Sequence, residues 1–203
     1  MENLWKTFDA FGIYLEKKQI DQLQIHFDLL NLWKNVHNLT TIDDPKKIFL
    51  YHYVDSLLGL KILEKLVPIS DLIYDLGSGA GFPGLIAAVL WPDRDITLVE
   101  SSKKKCSFLR LSASSMKLNR LSVLGKRVEE LQSIQFAITR AAFSPTNWPI
   151  LEPVLAPGGR IAFWLSEKEE IKNTPHWALE HQAYYELEPG HRRQIAVFVS
   201  RGT

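Results

Sequence analysis

Cysteine is almost absent from this chain, and so are net charge and long apolar runs. Among the 203 residues only Cys106 is a cysteine, which excludes a disulfide bond within the chain. No apolar run approaches the roughly 20 residues that a membrane-spanning helix requires. The first six residues, Met1 to Lys6, contain no basic start followed by an apolar signal core. These absences predict a cytoplasmic protein that is not associated with a membrane.

The charges nearly cancel, because 24 Lys and Arg residues face 23 Asp and Glu residues and leave a net charge of +1. No field over the whole protein therefore attracts a polyanion, and any such contact must come from local patches. Basic clusters such as Lys103-Lys104-Lys105 and Arg192-Arg193 are expected to be solvated surface. The composition is that of a globular protein, and nothing in it indicates an obligate protein partner.

The first part of the chain, residues 1–66, reads as helical. Apolar residues recur there at steps of three and four, which predicts an amphipathic helix; they are Ile20, Leu23, Phe27, Leu30 and Trp33. A polar connector over residues 38–45 interrupts the pattern, and a second apolar stripe follows to about residue 66. Pro68 marks the change to a different pattern. We therefore expect a helical extension over 1–66 and a second domain over 67–203.

In the second domain short apolar strands alternate with helical segments. The predicted strands cover 71–76, 95–100, 121–124, 135–139 and 160–165, and the predicted helices cover 82–91, 102–118 and about 145–154. Such alternation predicts an α/β fold with a parallel sheet covered by helices. The end differs, because 181–188 and 194–200 flank Pro189-Gly190 without a helix between them, which predicts an antiparallel hairpin.

The most informative segment is residues 71–85, where an apolar strand ends in Asp75 and then in the closely spaced Gly77, Gly79 and Gly81. Glycines at this spacing allow positive φ angles and let a ligand approach the main chain closely. Phe82 and Pro83 then open a helix, where a missing N–H costs little. This arrangement predicts a loop that binds a nucleotide-like ligand.

Two ligand classes use such loops. Read from Gly79, the segment fits the dinucleotide pattern G-x-G-x-x-G. Read from Asp75, it fits D-x-G-x-G-x-G, which resembles the first motif of S-adenosylmethionine-dependent methyltransferases. The acid favours the second interpretation, because a carboxylate would repel a pyrophosphate but can accept hydrogen bonds from the ammonium of the cofactor, directly or through water.

A second acid, Glu100, ends the next predicted strand. At this distance from the loop an acidic side chain receives two ribose hydroxyls. Both nucleotide interpretations predict this contact, so Glu100 does not discriminate between them. The parallel sheet finished by an antiparallel hairpin resembles the class I methyltransferase fold, which is Rossmann-like, more than a dinucleotide dehydrogenase.

Several segments together resemble one family, the guanine-N7 methyltransferases of small-subunit (16S) ribosomal RNA, also known as the glucose-inhibited division protein B family. Order and spacing agree from about residue 30 to residue 160. The matching segments are Asn38-Leu39-Thr40, His52 with Asp55-Ser56-Leu57, residues 75–84, Arg127-Val128-Glu129 and Thr139-Arg140-Ala141.

The resemblance implies transfer of a methyl group from S-adenosyl-L-methionine to N7 of a guanine in 16S ribosomal RNA, within the small ribosomal subunit. It implies that Gly77 and Phe82 contact the cofactor and that Val128 and Glu129 lie beside its adenine. Arg140 would reach the methionine end or the substrate mouth. The alternatives are an NAD(P)-dependent oxidoreductase and a non-catalytic RNA-binding relative with the same fold.

Guanine N7 carries a lone pair and no proton, so its methylation requires no general base, and we assign no catalytic residue and no metal ligand. His52 and Asp55 are three residues apart on a predicted helix, where their side chains can meet. We expect them to form a hydrogen-bonded pair that joins the helical extension to the sheet domain.

Overall fold

The computed structural model describes residues 5–171 and 173–202. The predicted helical start over residues 1–4 and the last residue, 203, lie outside this part. A short 3-10 helix, Lys6–Phe11, precedes α1 (Lys17–His37). After the connector come α2 (Pro45–Ile48), a π-helical segment (Phe49–Val54) and α3 (Asp55–Leu66), which follow one another without a break.

Helix α1 packs its apolar stripe against the protein core. Leu23, Phe27 and Leu30 are buried, and Ile20 and Trp33 pack against them partly exposed, so the predicted stripe is confirmed. At the start of the helix the Gln19 side chain accepts a hydrogen bond of 2.9 Å from the Glu16 N–H. Asn38 ends the helix in a left-handed conformation, with φ at 49°.

Seven strands form one sheet in the order β3-β2-β1-β4-β5-β7-β6. Strands β1 to β5 are parallel, and β7 pairs antiparallel with both β5 and β6. The strands are β1 (Leu72–Leu76), β2 (Asp95–Val99), β3 (Leu121–Leu124), β4 (Ile134–Arg140), β5 (Leu155–Ser166), β6 (Trp177–Glu188) and β7 (His191–Ser200). The predicted α/β fold with its terminal hairpin is confirmed.

Alternation along the strands places apolar side chains on both faces of the sheet. In β5, Ala162 and Trp164 pack in a cluster with the N-terminal helices. Ile161, Phe163 and Leu165 pack in a second cluster on the other face. The helical extension and one sheet face thus share a core, and the division near residue 67 stays a prediction.

Some predicted boundaries were wrong. Helix α4 (Gly84–Leu90) begins two residues later than expected, because residues 80–83 form a turn with Pro83 just before the helix. Helix α5 (Lys103–Ser115) is shorter than 102–118. The predicted helix over 145–154 is broken into a 3-10 turn, α6 (Trp148–Leu151) and another 3-10 turn, since prolines recur in this segment. Strand β5 begins five residues earlier than expected.

None of the helices in the described ranges has the length and apolar character to cross a bilayer.

Candidate functional site

A cavity of about 580 Å³ lies at the carboxyl ends of β1, β2 and β4. The chain order along the sheet reverses between β1 and β4, and in open α/β sheets ligands bind in the crevice at such a point. The volume lies within the range of ordinary ligand pockets. Seven of the nine predicted site residues line the cavity: Gly77, Gly79, Phe82, Glu100, Val128, Glu129 and Arg140.

The glycine loop takes the expected conformation. Gly77, Gly79 and Gly81 have φ angles of 74°, 57° and 98°. A Cβ on Gly77 would lie 2.3 Å from the Cβ of Ala142, so this glycine lets the loop after β4 approach. A Cβ on Gly79 would meet no atom nearer than 3.9 Å, so the space beside it is open to a ligand.

Gly81 does not line the cavity. A Cβ there would lie 2.2 Å from the Leu85 side chain, so the glycine is required for packing at the start of α4. Its predicted contact with a cofactor stays a prediction.

Asp75 lies beneath the loop rather than in the cavity wall. Its side chain is fully buried, and Oδ2 accepts a hydrogen bond of 3.1 Å from the Gly84 N–H at the start of α4. Its Oδ1 has no hydrogen-bond partner among the residues that the structure describes. Burial raises the pKa of Asp75 to about 7. The predicted contact with a cofactor ammonium stays a prediction, and it requires access that the loop in this conformation does not provide.

Glu100 follows β2 and connects the loop to the start of α5. Its Oε2 accepts a hydrogen bond of 3.0 Å from the Gly79 N–H, and Oε1 accepts one of 2.8 Å from the Ser102 N–H. Each carboxylate oxygen has a second lone pair that can accept a hydroxyl. The placement is therefore compatible with the predicted role at a ribose.

Arg140 is the last residue of β4, and its guanidinium donates hydrogen bonds to residues of the helical extension. Its Nη1 donates to the Tyr51 carbonyl at 2.7 Å and to Asp55 Oδ2 at 3.0 Å. Asp55 also accepts hydrogen bonds from Tyr185 at 2.6 Å and from Arg193 Nε at 3.2 Å. Burial raises the pKa of Asp55, but Arg140 and Arg193 outweigh this effect and hold it below its ordinary value.

Two sequence expectations were wrong at this cluster. Arg193 is not solvated surface, because its side chain is 18% exposed and pairs with Asp55. His52 and Asp55 do not bond to each other directly; both bond to Arg140, which lies between them. The reason is the π-helical turn that contains His52, because its wider winding changes which side chains share a face. No local pattern indicated Tyr185, which lies 130 residues from Asp55.

His52 is neutral and fixed. Its Nδ1 lies 3.0 Å from Arg140 Nη2, and its Nε2 lies 2.9 Å from the hydroxyl of Thr40. Burial and the charge of Arg140 lower the pKa of His52 to about 3. Thr40 belongs to the connector between α1 and α2 and lines the cavity.

The glycine loop also packs against the helical extension. The ring of Phe82 stacks on His52 with centroids 4.9 Å apart, and the Arg140 guanidinium lies 5.2 Å from its centroid. His26, in α1, is 3.0 Å from the Ala80 carbonyl, and its other ring nitrogen is 2.8 Å from the Tyr53 hydroxyl. A histidine within an apolar helix stripe was the available signal for this contact, and it was missed.

The family model for rRNA small subunit methyltransferase G matches residues 19–191, which include every residue of the cavity wall. The chain belongs to the rRNA small subunit methyltransferase G family. A family relative from Leptothrix cholodnii is 37% identical over 78% of this chain and 73% of its own length. Another family relative, from Halorhodospira halophila, is 35% identical over 91% of this chain and 88% of its own length. Both are named ribosomal RNA small subunit methyltransferase G.

Solved structures of low sequence identity share the fold of this chain. TrmN from Thermus thermophilus superposes with a TM-score of 0.54 at 17% identity, covering 71% of this chain and 48% of TrmN. A mutant form of MtNAS gives a TM-score of 0.61 at 10% identity, covering 90% of this chain and 74% of MtNAS. At these identities the similarity concerns the fold alone.

We expect Asp55→Asn to destabilise this family member strongly. The substitution leaves Arg140 and Arg193 buried without a full counter-charge, and breaking such a pair costs about 3–5 kcal/mol of unfolding free energy. Asp71→Asn is the matched control, because the Asp71 side chain is 99% exposed and its pair with Arg94 is expected to contribute less than about 1 kcal/mol. Urea denaturation measures both variants. Equal stability losses would contradict the structural role of Asp55.

We expect Asp75→Asn to alter the pH dependence of stability. The pKa of Asp75 is raised from 3.8 to about 7, so its contribution is present below the unfolded pKa and is lost as pH rises through 7. Between pH 3.8 and about pH 7 the parent should therefore lose unfolding free energy through this carboxyl. The variant lacks the carboxyl, so its stability relative to the parent should rise over the same range. The slope is at most about 1.4 kcal/mol per pH unit. Denaturation without ligand at several pH values measures this slope. A pH-independent difference would refute the raised pKa of the buried carboxyl.

Proposed function

We propose that this protein transfers a methyl group from S-adenosyl-L-methionine to N7 of a guanine in 16S ribosomal RNA, within the small ribosomal subunit. The observation that carries the proposal is the coincidence of the family match with the cavity at the carboxyl ends of β1, β2 and β4. The family names of the relatives support the ribosomal RNA substrate, and the fold supports the cofactor.

The residues of the cavity fit this cofactor. Glu100 retains lone pairs for two ribose hydroxyls, and the open space beside Gly79 admits a ligand against the main chain. Val128 and Glu129 form a turn in the wall, where we assign the adenine. Arg140 ends β4, which lies on the other side of β1 from β2 and β3, and there it suits a carboxylate or the substrate mouth. When bound, S-adenosylmethionine supplies an electrophilic methyl group on a positively charged sulfur.

The protein contributes position rather than proton transfer. Guanine N7 accepts a methyl group without losing a proton, so no residue has to act as a general base. Arg140 is held by Asp55, His52 and the Tyr51 carbonyl, which fixes its guanidinium before a substrate arrives. A site whose polar groups are fixed in advance accelerates a reaction through orientation.

A basic rim suits an RNA substrate. Lys105, Lys126 and Arg127 line the cavity, and the last two are exposed to solvent. Cations at this place can contact phosphates beside the target base, although the net charge of the whole protein is only +1. The N7 edge of a base in A-form RNA lies in a deep, narrow groove, so we infer an unpaired or splayed-out target.

We expect the purified protein to methylate small ribosomal subunits that lack the modification. Incubation with S-adenosylmethionine, followed by mass spectrometry of the nucleosides, should show 7-methylguanosine in 16S ribosomal RNA. Heat-inactivated protein is the control. Binding of NADH without binding of S-adenosylhomocysteine would instead favour the oxidoreductase. Absence of transfer to any RNA, naked or assembled, would contradict the proposal. Binding of RNA without binding of S-adenosylhomocysteine or NADH would favour a non-catalytic RNA-binding relative that keeps the fold but not the ligand.

We expect Glu100→Ala to weaken S-adenosylhomocysteine binding by about 100-fold, because two hydrogen bonds to a charged acceptor are lost. Asp93→Ala is the control, since Asp93 is exposed and lies outside the cavity wall. Isothermal titration measures both affinities, and circular dichroism confirms that the variants are folded. An unchanged affinity in folded Glu100→Ala would contradict the assignment of this side chain to the ribose.

A further inference from the structure

Arg140 fixes which nitrogen of His52 carries the proton. A guanidinium group donates hydrogen bonds and accepts none. Because Arg140 Nη2 lies 3.0 Å from His52 Nδ1, that ring nitrogen must accept and cannot carry a hydrogen. In the neutral ring the hydrogen therefore lies on Nε2. This follows from the geometry alone, since a doubly protonated ring would place two donors against each other.

The next residue in this chain of hydrogen bonds is Thr40. His52 Nε2–H donates to Thr40 Oγ1 at 2.9 Å, and the Ile42 N–H donates to the same oxygen at 3.1 Å. A hydroxyl oxygen has two lone pairs and one hydrogen. Both lone pairs are therefore used, and the hydroxyl of Thr40 can only donate. Within residues 5–171 and 173–202 no acceptor for this hydrogen is found, and Thr40 lies in the cavity wall.

We propose that Thr40 is a specificity-determining residue whose hydroxyl donates a hydrogen bond to O6 of the target guanine. The inference rests on the proposed methylation of a guanine N7 and adds how the base is recognised. Arg140 and His52 act as positioning residues, because they orient the hydroxyl hydrogen of Thr40.

The edge chemistry of the purines explains the choice of guanine. Guanine presents N7 and O6 side by side, and both are acceptors. A donor that binds O6 holds the base while the N7 lone pair stays free to receive a methyl group. Adenine presents an amino donor where guanine has O6. Thr40 has no lone pair left for that donor, so an adenine in the same pose would leave both groups unpaired, which is costly once the bound base displaces the water around them.

The contact selects and orients the base rather than stabilising the developing charge. As N7 receives the methyl group the purine becomes positive, and O6 becomes a weaker acceptor. Thr40 should therefore affect the discrimination between bases more than the rate of the chemical step. A purely structural role of Thr40, through His52 and the Ile42 N–H, would instead lower activity on every substrate equally.

The experiment compares two substrates and three enzymes. The target guanine is first mapped by mass spectrometry, and small subunits are then reconstituted with guanine or 2-aminopurine at that position. 2-Aminopurine keeps N7 and lacks O6 and the hydrogen on N1, so the O6 contact is measured by the part of the guanine preference that depends on the Thr40 hydroxyl. The enzymes are the parent, Thr40→Ser, which keeps the hydroxyl, and Thr40→Val, which has a similar shape without it. Methyl transfer from S-adenosylmethionine gives kcat/KM for each combination.

The parent and Thr40→Ser should prefer guanine over 2-aminopurine by about tenfold, the value of one hydrogen bond. Thr40→Val should lose this preference, with an activity on guanine about tenfold lower. S-Adenosylhomocysteine binding should be the same in all three enzymes, which checks the folding of the cavity.

An active parent enzyme without a preference for guanine would overturn the inference and leave the proposed function intact. This outcome does not depend on the folding of Thr40→Val. A preference for guanine as large in folded Thr40→Val as in the parent would overturn it as well. A parent enzyme that binds the cofactor and methylates neither substrate would refute the proposed function itself, and with it the inference.

Discussion

The buried ion pair between Asp55 and Arg140 is the interaction on which the rest of the site depends. Asp55 begins α3 and Arg140 ends β4, so the pair joins the helical extension to the carboxyl edge of the sheet. Their side chains are 2% and 10% exposed, and buried charges of this kind persist only when they are paired and hydrogen-bonded. Arg193 and Tyr185 complete the shell of Asp55 from the terminal hairpin. The extension is therefore part of the site rather than an appendage.

The helices of the N-terminal extension also support the glycine loop through side-chain contacts. His26 donates to the Ala80 carbonyl, since a carbonyl can only accept, and its other nitrogen then accepts from the Tyr53 hydroxyl. Phe82 stacks on His52 next to these contacts. The glycine loop and Arg140 are consequently supported by the same helical segments. A change in the helices should therefore alter both, although few of the supporting side chains line the cavity.

The sequence predicted the structural features that depend on neighbouring residues. It did not predict the side-chain contacts between residues far apart in the chain. The glycine loop, the strand alternation and Glu100 follow from local patterns, and the structure places them as expected at one sheet edge. The burial of Asp75 could not be predicted, because it depends on the Gly84 N–H after the turn has folded back. The arrangement around Asp55 involves partners up to 138 residues away. The π-helical turn also defeated the expected spacing of His52 and Asp55, since that expectation assumed an ordinary helix.

The proposed methylation of N7 is compatible with a site in which both ring nitrogens of His52 and both carboxylate oxygens of Asp55 are already hydrogen-bonded. A general base needs an available lone pair near neutral pH, and His52 has none, because Arg140 occupies Nδ1 and Nε2 carries the hydrogen bonded to Thr40. Asp55 is likewise saturated by Arg140, Arg193 and Tyr185. If the reaction required one of these two side chains as its base, these restraints would prevent it from accepting a proton. For a nucleophile that already has a free lone pair, they limit motion at the substrate and leave orientation as the contribution of the protein.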